Sequence, residues 1–112
     1  AKIGLNEVAI GMPLPKFAVE LARERLLKSH FVLATLGTTY DPAGALAAGY
    51  LDRVVPAESV VDESLAEARR LGELRTGAVA RTKQNARQGL IDAVAAGIDD
   101  DMATVDAPTP PA

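Results

Sequence analysis

Two charged residues of the chain sit where their neighbours make charge expensive, Glu7 and Lys83. Glu7 lies between Leu5 and Val8, just ahead of the run Gly11-Met12-Pro13-Leu14-Pro15. A carboxylate at such a turn into a helix points into a partly dry pocket, where desolvation disfavours its charged form and suits it to general acid/base work. The competing reading is an exposed turn glutamate, or one bonded to nearby backbone amides. Lys83 falls at the seam spacing of Val79, Ala86 and Leu90, so its ammonium lies on or beside an apolar stripe. On its own, that spacing also describes a lysine whose stem covers core while its head snorkels to water. His30 is the only histidine and no cysteine is present, which excludes disulfides and cysteine-ligated zinc and leaves no metal site to argue for. His30 is expected to pack at the start of a helix rather than to act as a ligand.

The elements that must position these residues follow from the apolar pattern. Ile3, Leu5, Val8 and Ile10 flank Asn6-Glu7 and read as a short extended segment broken by a polar pair. Pro15 suits the first position of a helix over 15–28, with Ala18, Leu21, Ala22 and Leu26 as its apolar stripe. Ser29 is read as the N-cap of a second helix over 30–36, closed by Gly37. Asp41 caps a third, alanine-rich helix that has Pro42 at its first position and Gly49 at its end. Residues 50–55 form a strand candidate stopped by Pro56. A longer helix over 57–74 lines up Val61, Leu65, Ala68 and Leu71. Gly72 and Gly77 read as a hinge before a last helix over 78–99, with Val79, Ala86, Leu90, Val94 and Ile98 as its seam. Three aspartates, Asp99 to Asp101, then carry the wrong sign for a helix C-terminus, so that end is expected to fray. The Pro-rich stretch 103–112 reads as disordered. Two lone strands cannot make a stable sheet, so they are expected to join a sheet supplied elsewhere.

Composition removes several classes of function. With 112 residues and 48% apolar content, the chain is long enough and apolar enough for one small domain. Twelve basic and fifteen acidic residues give a net charge of −3 with no basic run, and there is no Trp, so neither nucleic acid nor an anionic membrane is an expected partner. No apolar stretch approaches the roughly 18 residues of a membrane span. The location expected is cytoplasmic.

Longer runs carry a family signature. The segments Lys2-Ile3-Gly4-Leu5-Asn6-Glu7-Val8-Ala9-Ile10-Gly11, Tyr40-Asp41-Pro42 and Ala45-Leu46-Ala47-Ala48-Gly49-Tyr50-Leu51-Asp52-Arg53-Val54-Val55-Pro56 keep order and spacing. Together, with the match continuing through Lys83, they resemble the C-terminal part of the enoyl-CoA hydratase/isomerase (crotonase) superfamily. The resemblance implies an α/β fold, the C-terminal half of a ββα spiral, mostly α-helical here with two short strands. Residues 1–74 would belong to the spiral core, 75–102 to a helical oligomerisation or lid segment, and 103–112 to a tail.

The same resemblance implies chemistry on an acyl-CoA thioester through an enolate held by two backbone N–H groups, since preorganised amides stabilise charge as it develops. Glu7 would be the second of two glutamates that activate water for hydration of a 2-enoyl-CoA. Met12, Leu14 and Phe17 would line an acyl pocket beside it, unless they are ordinary core, and Lys83 would reach a phosphate of CoA. Asn6 stands where proline usually precedes the glutamate, and Met12 to Lys16 replace a glycine-rich turn, so related isomerases stay in view. No cofactor is implied beyond the CoA of the substrate. The implied partners are the upstream half of the same protein, bearing the first glutamate and the oxyanion-hole amides, and further copies in a trimer or hexamer. The chain begins at Ala1, which fits an inactive piece of a longer enzyme. The alternatives are a non-catalytic acyl-CoA-binding scaffold of the same fold, or a helical oligomerisation module.

Overall fold

A computed structural model describes residues 1–104. Five α-helices dominate these residues: α1 (Lys16–Arg25), α2 (Lys28–Ala34), α3 (Pro42–Ala48), α4 (Val60–Gly72) and α5 (Thr76–Thr104). Short 3₁₀ turns occupy Glu7–Ile10 and Ala57–Ser59. The strands β1 (Ile3–Gly4) and β2 (Thr39–Tyr40) pair antiparallel, with Ile3 opposite Tyr40 and Gly4 opposite Thr39. Gly4 is needed for that approach, because a Cβ there would lie 2.5 Å from the Thr38 carbonyl oxygen. No helix among the described residues is long and apolar enough to cross a membrane.

The chain forms two compact units, Ala1–Val54 together with the chain from Leu90 onward, and Val55–Gly89. In the first unit the third helix starts and stops as its sequence dictates. Asp41 Oδ1 accepts from the Gly44 amide at 2.7 Å, Pro42 opens the helix, and Gly49 closes it in the left-handed region at φ 106°. Any Cβ at Gly49 would also meet the Arg25 carbonyl oxygen at 2.9 Å.

Several expectations need correction. Ser29 caps nothing: α2 begins at Lys28 after an extended Leu27 and ends at Ala34, before Leu36. Of the N-terminal extended segment only Ile3–Gly4 is a strand, and from Glu7 the chain tightens into a 3₁₀ turn. Residues 50–55 form no strand but an irregular stretch with bends at Tyr50 and Asp52, and Tyr40 and Thr39 are the residues that pair with β1. Alternating apolar residues specify an extended backbone, whereas a strand also needs a partner edge. The expected Pro-rich tail lies, over 105–112, outside the described residues, while Ala103 and Thr104 complete the last turn of α5.

The largest correction concerns the acidic end of α5. It stays helical to Thr104, and Asp101 is 3% exposed. Pro15 precedes α1 and has no side-chain acceptor, so the first amides of α1 need one from elsewhere. Asp101 supplies it: Oδ1 accepts from Lys16 N at 2.8 Å and Oδ2 from Phe17 N at 2.7 Å. A negative charge that opposes the dipole of its own helix therefore complements the N-terminus of another. Gly97, one turn earlier, lets the helices close, since a Cβ there would sit 3.3 Å from Lys16 Cβ. The inward face of this half of α5 is Leu90, Val94, Gly97 and Asp101, at spacings of 4, 3 and 4.

The core is small. Ala22, Leu26, Ala34, Ala45 and Ala48 are its buried apolar residues, while Val8, Ile10, Leu21, Leu33 and Leu36 are exposed. In the second unit the α4 stripe of Val61, Leu65 and Leu71 is likewise open to solvent.

Replacing Asp101 with alanine leaves two helix-end amides without their acceptor. The chain should lose about 1–3 kcal/mol of stability, with Asp101→Asn recovering part of it. Denaturant unfolding followed by circular dichroism measures this, and equal midpoints for wild type and Asp101→Ala would remove the clamp from the energetics.

Candidate functional site

Glu7 opens the 3₁₀ turn, and the main chain around it is tightly held. Its carbonyl accepts from the Met12 amide at 2.9 Å, and Gly11 ends the turn in the left-handed region. With its backbone fixed in this way, the side chain has a defined direction. Glu7 Oε2 is shielded from solvent and has no hydrogen-bond partner. A buried acceptor left unpaired costs roughly 1–3 kcal/mol, so the fold retains an oxygen it does not itself satisfy.

The Tyr50 hydroxyl is the other buried, unpartnered side-chain oxygen found among the described residues. Tyr50 follows the left-handed Gly49, and its amide donates to the Ala45 carbonyl at 2.9 Å. That helix ending turns the next residue back onto its own helix. The ring then packs against the Ala22, Leu26 and Ala34 cluster, beside Leu5 and Phe31. Leu5 comes two residues before Glu7, so one apolar cluster anchors both the tyrosine and the segment that carries the carboxylate.

Two more groups complete the cluster. The Tyr40 ring lies 5.9 Å from that of Tyr50 at 50°, and 5.6 Å from the His30 ring at 58°. His30 Nδ1 and the Tyr40 hydroxyl share a hydrogen bond of 3.0 Å. His30 thus packs near the start of its helix, as expected, with a polar partner the pattern did not supply. Burial pushes the Tyr50 phenol above its ordinary value of 10.0, and the neighbouring Tyr40 and Glu7 add to the effect. Tyr50 therefore stays protonated, a hydroxyl able to donate, through the neutral range.

Of the other anticipated residues, Met12 is tied to Glu7 through its amide, and Leu14 and Phe17 are half-buried further along the same entry to α1. The Phe17 amide is held by Asp101. Lys83 belongs to the second unit, where it is exposed. There it lines an open groove of about 520 Å³ with Leu74, Val79 and Thr82, flanked by Arg75 and Arg87. The residues the sequence reading missed are Tyr40 and Tyr50. The helix-ending pattern Ala45 to Tyr50 was the signal available, since a residue just past a left-handed glycine is the one turned inward.

Solved structures place this arrangement in a family. An enoyl-CoA hydratase/isomerase family protein from Pseudomonas syringae superposes with a TM-score of 0.88 at 42% identity, over 94% of this chain and 46% of that one. The chain belongs to the enoyl-CoA hydratase/isomerase family. An enoyl-CoA hydratase from Mycobacterium ulcerans gives a TM-score of 0.87 at 38% identity, over 91% of this chain and 45% of that one. A Mycobacterium tuberculosis protein, described as an enoyl-CoA isomerase in one structure and as a probable enoyl-CoA hydratase in another, gives 0.87 at 39–40% identity, over 91–92% of this chain and 44–46% of that one. No protein-family model and no curated protein matches. The chain therefore spans less than half the length of these hydratase/isomerase structures, and its helices with one short strand pair match the C-terminal helical part of the crotonase fold.

An alkaline titration followed by tyrosinate absorbance should resolve a step above the ordinary range, and Tyr50→Phe should remove it. Because the folded-state value is raised, the stability that Tyr50 contributes is fully present below about pH 10 and is lost as the pH rises through the folded-state value. If no step above the ordinary range appears, the buried Tyr50 hydroxyl is refuted.

Proposed function

We propose that the whole protein acts on acyl-CoA thioesters through an oxyanion-stabilised enolate and hydrates 2-enoyl-CoA, with Glu7 as an acid or base. The observation that supports this reading is the Glu7 carboxylate oxygen, held out of solvent and unpartnered, in a chain of the hydratase/isomerase family. An oxygen without a competing donor is available to a proton in transfer. In hydration, water gives up a proton to a carboxylate as its oxygen bonds to carbon 3 and the double-bond electrons move onto the thioester oxygen. The enolate then collapses by taking a proton at carbon 2. Amides outside this chain would hold the enolate oxygen, so the chain alone is expected to be inactive. The exposed apolar faces of both units suit a partner surface, and the partners proposed are the upstream half of the protein and further copies in a trimer or hexamer.

A second reading is double-bond migration, since the Mycobacterium tuberculosis protein at 39–40% identity is described both as an isomerase and as a probable hydratase. Migration needs only one carboxylate to move a proton between carbons 2 and 4, a role Glu7 would fill alone. The two reactions have opposite optical signatures. Hydration of a 2-enoyl-CoA destroys the conjugated thioester chromophore, whereas isomerisation of a 3-enoyl-CoA creates it.

In the full-length enzyme, Glu7→Gln should lower kcat by about 10²–10⁴ with acyl-CoA affinity little changed. Undiminished turnover would take Glu7 out of the mechanism. Lys83, in the groove with Arg75 and Arg87, is proposed to meet a phosphate of CoA. Lys83→Ala should raise KM for acyl-CoA about 3- to 10-fold at constant kcat, and an unchanged KM would leave the lysine a surface charge.

A further inference from the structure

The cluster around Glu7 contains a donor and an acceptor that each lack a partner. Glu7 Oε2 can only accept when ionised, and the Tyr50 hydroxyl, kept neutral, can donate. Both oxygens are shielded from solvent, and both are carried by segments packed on the Ala22, Leu26 and Ala34 cluster, one through Leu5 and the other through the Tyr50 ring itself. The Tyr50 ring cannot drift far, because Tyr40 packs against it and the Tyr40 hydroxyl is held by His30 at 3.0 Å.

We propose that Tyr50 is the positioning residue of the Glu7 carboxylate: in the working enzyme its hydroxyl donates to Glu7 Oε2, with Tyr40 and His30 holding the tyrosine ring in place. The inference rests on the reading of Glu7 as the proton-transfer group. A carboxylate with one oxygen fixed by a neutral donor presents the other in a single direction, and that orientation is needed for transfer to and from a carbon atom. In this role Tyr50 acts through Glu7 and not on the substrate, so its removal should act on turnover rather than on binding.

The test is a double-mutant cycle in the full-length enzyme with Tyr50→Phe and Glu7→Gln, which retain ring and amide shape. Tyr50→Phe should lower kcat about 10- to 100-fold at unchanged KM and have little further effect on the Glu7→Gln background. Wild-type kcat in Tyr50→Phe, beside an impaired Glu7→Gln, overturns the inference and leaves the proposed function standing. An equal loss in both backgrounds marks a purely structural tyrosine and overturns it too. Full activity in Glu7→Gln overturns the reading of Glu7 and the inference together. A measurement on the 112-residue chain needs no turnover. There Glu7→Gln should lower the tyrosinate midpoint of Tyr50, and an unmoved midpoint would separate the two groups and sink the proposal.

Discussion

The Asp101 carboxylate on the first two amides of α1 is the interaction on which the arrangement around Glu7 depends. Only residues 11–15 separate the helix from the turn that carries Glu7, and the residue before the helix is a proline that cannot cap it. Its N-terminal amides would otherwise face solvent or remain unpaired. By accepting from both, Asp101 fixes where α1 starts and joins it to the far end of the sequence, 85 positions from Lys16 and 84 from Phe17. Gly97 is the steric condition for that join, and the exposed Lys16–Asp100 pair at 3.5 Å adds little to it.

Around this clamp the core is built from small residues. Ala45 and Ala48 are fully buried, and the α2 start is tied to α3 by a bond from Leu27 N to the Ala48 carbonyl at 3.1 Å. Small side chains let backbones approach closely, but they remove little apolar area from water. Larger residues such as Leu36, Val61 and Ile10 point outward instead. These outward apolar residues are the surface on which the proposed partner would pack, and the chain is less than half as long as the family structures it matches.

Sequence and structure agree where local chemistry decides the outcome. Asp41, Pro42 and Gly49 act as cap, first residue and stop because each works through bonds within one turn. Agreement fails where distant residues decide. Ser29 has capping chemistry but lies inside a helix that tertiary packing started earlier. Asp101 was read against the dipole of its own helix, since nothing local reveals that another N-terminus lies beside it. The seam of α5 misled for a related reason: an apolar count skips glycine and aspartate, yet Gly97 and Asp101 are the buried members of that face. At the site, Glu7 was legible because a charged residue inside an apolar run is visible in one dimension. Tyr40 and Tyr50 were not, because their meeting depends on β2 and on the turn after α3.

The tyrosine pair has an optical consequence. The chain contains no tryptophan, and its two tyrosines are the two whose rings lie 5.9 Å apart next to the Glu7 segment. All of its tyrosine fluorescence therefore originates from this one pair. Any change in the surroundings of these two rings would register in the fluorescence of the unlabelled protein, with no tryptophan signal to mask it.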